Sequence, residues 1–145
     1  MCIRDSFINI SHNFVDTVGA PATFADLVWK QANANVRGET SIDAWEERAE
    51  AMGQPLPDAA AGHRAPRTAG RVDEKARSAY QAAAFADSLA IYLLSLYIDF
   101  DYADLREREY PMLAAPGLAE RLKAVNRLFP PNDGYQFQIL YRRRS

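Results

Sequence analysis

The sequence predicts a mainly α-helical protein of about four to five helices with a short strand at each end. Apolar residues recur at helical spacing along most of the chain, whereas strand-like patterns are confined to its two ends. A lone strand leaves backbone groups without hydrogen bonds, so each end strand needs a partner. Two arrangements stay open. The strands form a small or incomplete sheet together, or the chain is the C-terminal part of an α/β domain.

Length and composition limit the classes of protein to which the chain can belong. Its 145 residues suit one domain, and 48% hydrophobic with 25% charged residues excludes full intrinsic disorder. A net charge of −2 creates no field that attracts nucleic acid or acidic membranes, and we expect neither as a partner. Cys2 is the single cysteine and cannot form an internal disulfide, which fits a cytoplasmic location.

Residues 1–6 have an unusual sequence. Their possible codons resemble the transposon-end adapter of sequencing libraries and lean towards A and T. The rest of the chain is rich in alanine and arginine and poor in lysine, which is typical of a GC-rich genome. We therefore expect residues 1–6 to be a sequencing artefact. The remainder is then a metagenomic, bacterial fragment with a truncated N-terminus.

The segment after residue 6 is predicted to begin with a strand and continue into a helix. Residues 7–10 are apolar at nearly every position, which indicates an interior strand. The pattern predicts a helix over 23–36, with Thr23 as its N-cap and Gly38 as the left-handed residue that ends it.

A second helix is predicted over residues 41–52, because Thr40 and Asp43 have the spacing of a capping box. The two helices would form an α-hairpin, so that residues 7–52 are one unit. Residues 53–72 contain many Gly, Pro and Ala and little to bury, which indicates a flexible linker or long loop.

Residues 73–145 are predicted to form a helical core with a C-terminal strand. The longest helix begins near Asp73 and is apolar on every side from residue 89 to 98, which indicates complete burial. We expect further helices over 101–110 and around 118–129, and a strand over 135–139. Eight apolar residues of the two main helices, together with Phe100 and a nearby Trp45, form the predicted core: Leu89, Tyr92, Leu93, Leu96, Leu118, Leu122, Val125 and Phe129.

The most interesting polar group follows the first predicted strand. Ser11, His12 and Asn13 stand where open α/β sheets place their ligand sites, and Asp16 is close enough to orient His12. These four residues are the candidate catalytic residues. The alternative interpretation is an ordinary loop that leads into a helix.

Other chemistry-bearing patterns are weak. Asp99, Asp101 and Asp104 are candidate ligands of a hard cation, but Asp101 and Asp104 also suit the cap of a helix. We therefore predict no metal site. The sequence contains no phosphate-binding glycine loop, no C-x-x-C and no G-x-S-x-G, so no cofactor is indicated.

Two segments resemble parts of class I methyltransferases. Residues 7–24 resemble the fourth strand and following helix of that family, and residues 134–142 resemble its terminal strand. The methyl-donor-binding glycine motif is absent, and so are the Gly-Gly turn and fifth strand between these pieces. The resemblance implies an α/β context for these segments and assigns no activity.

Two functions remain open, and the sequence does not decide whether the chain is an enzyme. The first is the C-terminal fragment of a larger bacterial α/β enzyme, with its site near residues 11–16 and with the missing N-terminal portion of the same protein as its partner. The second is a non-catalytic helical interaction or assembly module that binds a protein partner. The apolar helices predict more apolar surface than a short bundle covers.

Overall fold

The structure is a computed structural model that describes residues 3–54, 73–97, 111–134 and 139. Within these residues the fold is mainly helical and contains five α-helices and no strand. The helices are α1 (Ile3–Val18), α2 (Ala22–Asn33), α3 (Ile42–Ala51), α4 (Glu74–Tyr97) and α5 (Ala115–Leu128). The predicted helical class is confirmed.

Helix α4 is the centre of the bundle and packs against each of the other four helices. Most of its apolar residues are buried, but Leu93 and Leu96 are partly exposed, so the complete burial expected over 89–98 holds for only part of the described residues. The segment Glu74–Leu96 is long and apolar enough to cross a membrane, but 61% of its most apolar window is buried inside the bundle. This burial is typical of the core helix of a soluble protein.

The start of α4 agrees with the sequence. Asp73 precedes the helix, and its Oδ1 atom accepts hydrogen bonds from the backbone N–H groups of Lys75 (2.9 Å) and Ala76 (3.2 Å). The first N–H groups of a helix have no partner inside the helix, so an N-cap side chain supplies one. Asp73 is the N-cap of the central helix.

We expect Asp73→Ala to lower the free energy of unfolding by about 1 kcal/mol, because two N–H groups lose their acceptor. Asp73→Ser is the control, since a serine hydroxyl also caps a helix. Urea denaturation followed by circular dichroism measures both. Equal losses in the alanine and serine variants would contradict a capping role.

The predicted strand over residues 7–10 is wrong, because these residues belong to α1. A short apolar run does not by itself distinguish a strand from a buried helix. The helical spacing becomes visible only when the run is continued to Ser11 and Val15, which are both buried and lie one turn apart. The packing of α1 against α4 selects the helix. Residues 3–6 lie in its first turns, and the adapter interpretation of residues 1–6 remains a prediction.

The helical conformation of residues 7–10 also contradicts the first half of the methyltransferase resemblance. Residues 7–24 contain most of α1, a turn and the start of α2, whereas the family has a strand and a helix there. The second half, residues 134–142, lies almost entirely outside the described residues. The described part of the chain does not show an α/β domain.

The caps of α2 and α3 differ from those expected. Pro21 rather than Thr23 precedes α2, and no side chain caps this end. Asn35, with φ 55°, takes the left-handed position after α2 that was expected for Gly38. Ser41 rather than Thr40 caps α3, because its Oγ atom accepts from the Ala44 N–H at 3.2 Å. Helices α2 and α3 both pack on α4, and they do not form a packed hairpin of their own.

The connection between α2 and α3 runs beside the segment that precedes α5. Glu39 N–H donates to the Pro111 carbonyl (3.0 Å), and Leu113 N–H donates to the Glu39 carbonyl (2.9 Å). Ala114 N–H donates to the Arg37 carbonyl at 2.8 Å. These bonds form one isolated parallel bridge between Glu39 and Met112. They hold residues 37–40 in a defined position against α4 and α5.

The predicted core is confirmed in its main part. A buried apolar cluster joins residues of α4 and α5, and Leu93 and Leu96 pack against it while partly exposed. Phe129 reaches this cluster through its ring contact with Phe85 but is itself exposed. Trp45 lies outside the cluster, beside the Arg48 guanidinium. The cluster residues from the prediction are Leu89, Tyr92, Leu118, Leu122 and Val125.

Several predicted elements lie outside the described residues. They are the part of the linker from residue 55 to 72, the helix over 101–110 with Phe100 before it, and the strand over 135–139 except its last residue. Ile139 is partly buried and packs against the core. These elements remain predictions.

Candidate functional site

The four candidate catalytic residues lie on one helix rather than on a loop after a strand. Successive residues of an α-helix point about 100° apart, so the side chains of α1 diverge. Ser11 is completely buried, His12 lies at the edge of the buried face, and Asn13 and Asp16 are exposed. The structure therefore does not gather the four residues into one site. Of the other three candidate residues, only Asp16, one turn beyond His12, acts electrostatically on His12.

His12 instead meets an acidic residue of the central helix. Its Nε2 atom lies 3.5 Å from Oδ1 of Asp87 on α4. The other carboxylate oxygen of Asp87 accepts hydrogen bonds from Thr40 Oγ1 at 2.9 Å and Ser41 Oγ at 2.6 Å. We call His12, Thr40, Ser41 and Asp87 the Asp87 cluster. It joins α1, α4 and the segment that leads into α3.

The burial of the Asp87 cluster differs between its members. The side chain of Asp87 is 9% exposed, whereas that of His12 is 38% exposed. A buried carboxylate requires hydrogen-bond donors, and Thr40 and Ser41 supply them from one side. Imidazole has two nitrogens, so contact with Asp87 through Nε2 leaves Nδ1 for another partner. His12 can therefore exchange a proton at the protein surface while Asp87 orients the ring.

The electrostatics favour the protonated form of His12. Its contact with the Asp87 side chain raises the pKa of His12 above its ordinary value, and partial burial opposes this. The negative charges of Asp87, Asp16 and Asp43 raise the pKa further. Because the pKa of His12 is higher in the folded state, the bound proton stabilises the fold, and this contribution is fully present below pH 6.5, the ordinary pKa of histidine. That contribution is lost as the pH rises through the folded-state pKa.

Ser11 is the neighbour of His12 in sequence, and its Oγ atom is buried without a hydrogen-bond partner. A catalytic serine needs a base within hydrogen-bond reach of its hydroxyl. Ser41, the other serine near His12, donates its hydroxyl hydrogen to Asp87 rather than to the imidazole. The described residues thus provide a proton-exchanging histidine and no activated nucleophile.

A second polar group lies deeper in the bundle, around Glu39 and Arg121. The two side chains are fully buried and form a paired ionic contact, with Arg121 Nη1 to Glu39 Oε2 at 2.8 Å and Nη2 to Oε1 at 3.0 Å. Tyr80 donates its hydroxyl hydrogen to Glu39, and Arg121 Nε donates to Gln31 Oε1 at 2.7 Å. Arg48 Nη1 lies 3.4 Å from Glu39 Oε1.

This buried network has a structural role. Burial lowers the pKa of Arg121, but the facing Glu39 carboxylate outweighs it, so the net pKa is raised. Burial and the same carboxylate also raise the pKa of Tyr80. The charges of Arg121 and Glu39 have no access to solvent and cannot meet a substrate. The network fixes the position of Glu39. It thereby also fixes Thr40 and Ser41, which follow Glu39 in the sequence and belong to the Asp87 cluster.

No role in a functional site was assigned from the sequence to Asp87, Thr40 or Ser41. A signal for the last two exists, because polar residues follow Gly38 directly at a helix start. Asp87 is an acid inside an apolar helix, where a charge needs a partner. No group of three His, Cys, Asp or Glu side chains within the described ranges is placed to hold a metal ion. Asp99, Asp101 and Asp104 lie outside those ranges.

The described surface also carries an apolar patch. On α1, Ile10, Phe14 and Val18 are 59%, 38% and 63% exposed and lie one helical turn apart. The Phe14 ring meets that of Phe129 edge to face, with 6.1 Å between the ring centroids. Phe129 and its neighbour Leu128, at the end of α5, are also exposed. We call these five residues the docking face.

The docking face is not where the sequence predicted excess apolar surface. The pattern placed that excess on the helices around 85–100 and 118–129. The structure buries α4 and most apolar residues of α5 within the bundle, and it exposes apolar residues mainly on α1. The strand interpretation of residues 7–10 concealed this stripe, because it placed these residues in the interior.

Comparison of the chain with protein-family models, curated proteins and solved structures finds no match. The assignment of function therefore depends on the geometry of the docking face and the Asp87 cluster.

Proposed function

We propose that the chain is a helical assembly module that pairs with a second copy of itself through the docking face. The observation that carries the proposal is the row of three exposed apolar side chains on α1, continuous with Phe129. Large apolar side chains at positions i, i+4 and i+8 are the anchors of a helix-mediated contact. Burial of each such side chain contributes up to about 1.5–3 kcal/mol.

The symmetry of a twofold contact favours a second copy as the occupant of the docking face. A twofold contact is self-complementary, so each copy presents the same row of apolar side chains to the other. The small net charge of −2 produces little repulsion between copies.

We expect the protein to sediment as a concentration-dependent dimer, and we expect Ile10→Lys to make it monomeric. A lysine in the row of apolar side chains places a charge in the contact, and two copies bring two such charges together. Asn9→Lys is the matched control, because it adds the same charge to an exposed position about 100° around α1 from Ile10. Analytical ultracentrifugation at several concentrations measures the result. A monomer at every concentration, or equal effects of the two variants, contradicts the proposal.

A second candidate function is the first hypothesis from the sequence, a fragment of a larger bacterial α/β enzyme. The observation that favours it is the partly exposed His12 held by a buried Asp87, which is a typical arrangement for an acid or base. Ser11, Asn13 and Asp16 share α1 with the proton-transferring residue, and Asp16 acts on it through its charge. The loss of the predicted strand at residues 7–10 removes one of its supports.

The genomic sequence upstream of codon 7 tests this second candidate. An in-frame continuation that encodes a glycine-rich phosphate or cofactor loop supports the enzyme. A start codon directly before codon 7 contradicts it. For both candidate functions we propose a cytoplasmic location, which agrees with the burial of most of the apolar helix α4 inside the bundle.

A further inference from the structure

Helix α1 is attached to the bundle by a buried face, and the titratable residue His12 makes a contact at its edge. Ser11 and Val15 are buried on the side that packs against α4. The helical spacing places His12 at one edge of this buried face and Ile10, Phe14 and Val18 at the other edge. His12 is thus positioned to affect the attachment of α1 without taking part in the docking face.

The charged groups that act on His12 come from three helices and are all acidic. Asp87 approaches from α4 at 3.5 Å, Asp16 belongs to the next turn of α1, and Asp43 lies in the first turn of α3. Asp87 is itself held in place by Thr40 and Ser41. A proton on His12 therefore adds attraction between α1 and a carboxylate whose orientation is fixed by two hydrogen bonds.

We propose that the contact between His12 and Asp87 is a pH-sensitive latch that fastens α1 to α4 when His12 is protonated and holds it less tightly when His12 is neutral. The latch is a property of the isolated chain and does not require the docking face. Its consequence for assembly rests on the proposed function: the stripe on α1 is a fixed surface in mildly acidic solution, and it becomes more mobile as the pH rises.

Linkage sets both the direction and the size of the effect. The proton binds more tightly when α1 is attached, since the detached helix leaves Asp87 behind. Raising the pH through the titration of His12 therefore increases the fraction of open α1. The fold-change in opening equals the ratio of the acid dissociation constants of His12 in the detached and attached states.

NMR titration of the two histidines tests the contact directly. His63→Gln assigns the signals, because His12 and His63 are the only histidines of the chain. We expect Asp87→Asn to lower the pKa of His12, since the attractive charge is removed while the partial burial remains. The amide oxygen still accepts from Thr40 and Ser41, so the fold is retained. An unchanged pKa of His12 in Asp87→Asn overturns the proposal.

Hydrogen exchange of the α1 amides tests the consequence, with rates corrected for the intrinsic effect of pH. We expect the protection of α1 in the native sequence to fall as His12 loses its proton, by the factor that the two acid constants define. In His12→Gln the protection should not change over the same range. Equal pH dependence in both proteins overturns the latch. Sedimentation of the same samples reports on assembly separately, so a monomer with pH-dependent protection contradicts only the docking proposal.

Discussion

Arg121→Met is expected to lower the free energy of unfolding by about 3–5 kcal/mol, because it removes the closer ionic partner of the buried Glu39 carboxylate and leaves the longer 3.4 Å contact with Arg48. The side chains of Arg121 and Glu39 are fully buried and share two short hydrogen bonds. Methionine fills similar space, so the main change is the loss of charge and hydrogen bonds. Gln31 also loses the N–H donor of Arg121 for its side-chain oxygen. Urea denaturation followed by circular dichroism measures the loss.

The double variant Glu39→Gln with Arg121→Met is the control for this prediction. It removes both charges of the fully buried pair, and Arg48, whose side chain is 10% exposed, keeps its hydrogen bond to the Gly38 carbonyl at 3.0 Å. The glutamine side chain retains an oxygen that accepts from Tyr80. We expect the double variant to be more stable than Arg121→Met alone, and the difference measures the coupling between the two sites. A double variant that is less stable than the single one would show that the unpaired charge is not the cause.

Gly38→Ala is expected to lower the free energy of unfolding by about 3–6 kcal/mol. Gly38 has φ 81°, a left-handed conformation that alanine adopts at a cost. A Cβ atom at this position would also overlap the carbonyl group of Met112 and lie 2.6 Å from the Pro111 carbonyl oxygen, which is closer than van der Waals contact allows. The two segments must separate, which breaks the backbone hydrogen bonds between residues 37–39 and 111–114.

Gly19→Ala separates the two causes. Gly19 has a similar φ of 76°, but a Cβ atom there meets nothing within 4 Å. Alanine at this position bears only the conformational cost, about 1–2 kcal/mol. The same urea titrations, run on both variants, give the contribution of the close approach as the difference. Equal losses at Gly19 and Gly38 would mean that the contact between the two segments does not limit stability.

The substitution Gly38→Ala is also expected to affect the geometry of the Asp87 cluster. Residues 37–40 are held against the segment before α5, and Thr40 and Ser41 donate to Asp87 from the end of that connection. Separation of the two segments moves these donors. We therefore infer that the glycine supports the orientation of Asp87, and through it the position of His12.

The sequence predicted the elements whose patterns are long and local. The apolar spacing of α4 and α5 is repeated over several turns, and Asp73 marks the start of α4 with its own side chain. Residues 7–10 are too few to distinguish a helix from a strand, so α1 was predicted wrongly. The four candidate residues contained His12, but the helix directs the side chains of its neighbours elsewhere.

The sequence by itself determined that this protein is mainly helical and that most of its longest helix is buried. It also indicated where α3 and α5 end. The tertiary structure alone decided the partner of His12, the pairing of Glu39 with Arg121, and the exposure of Ile10, Phe14 and Val18. The physical reason is separation along the chain. Helical patterns arise from neighbours a few residues apart, whereas Asp87 and Arg121 find their partners only when α4 and α5 pack into the bundle. Exposure, likewise, depends on which face of α1 the central helix covers.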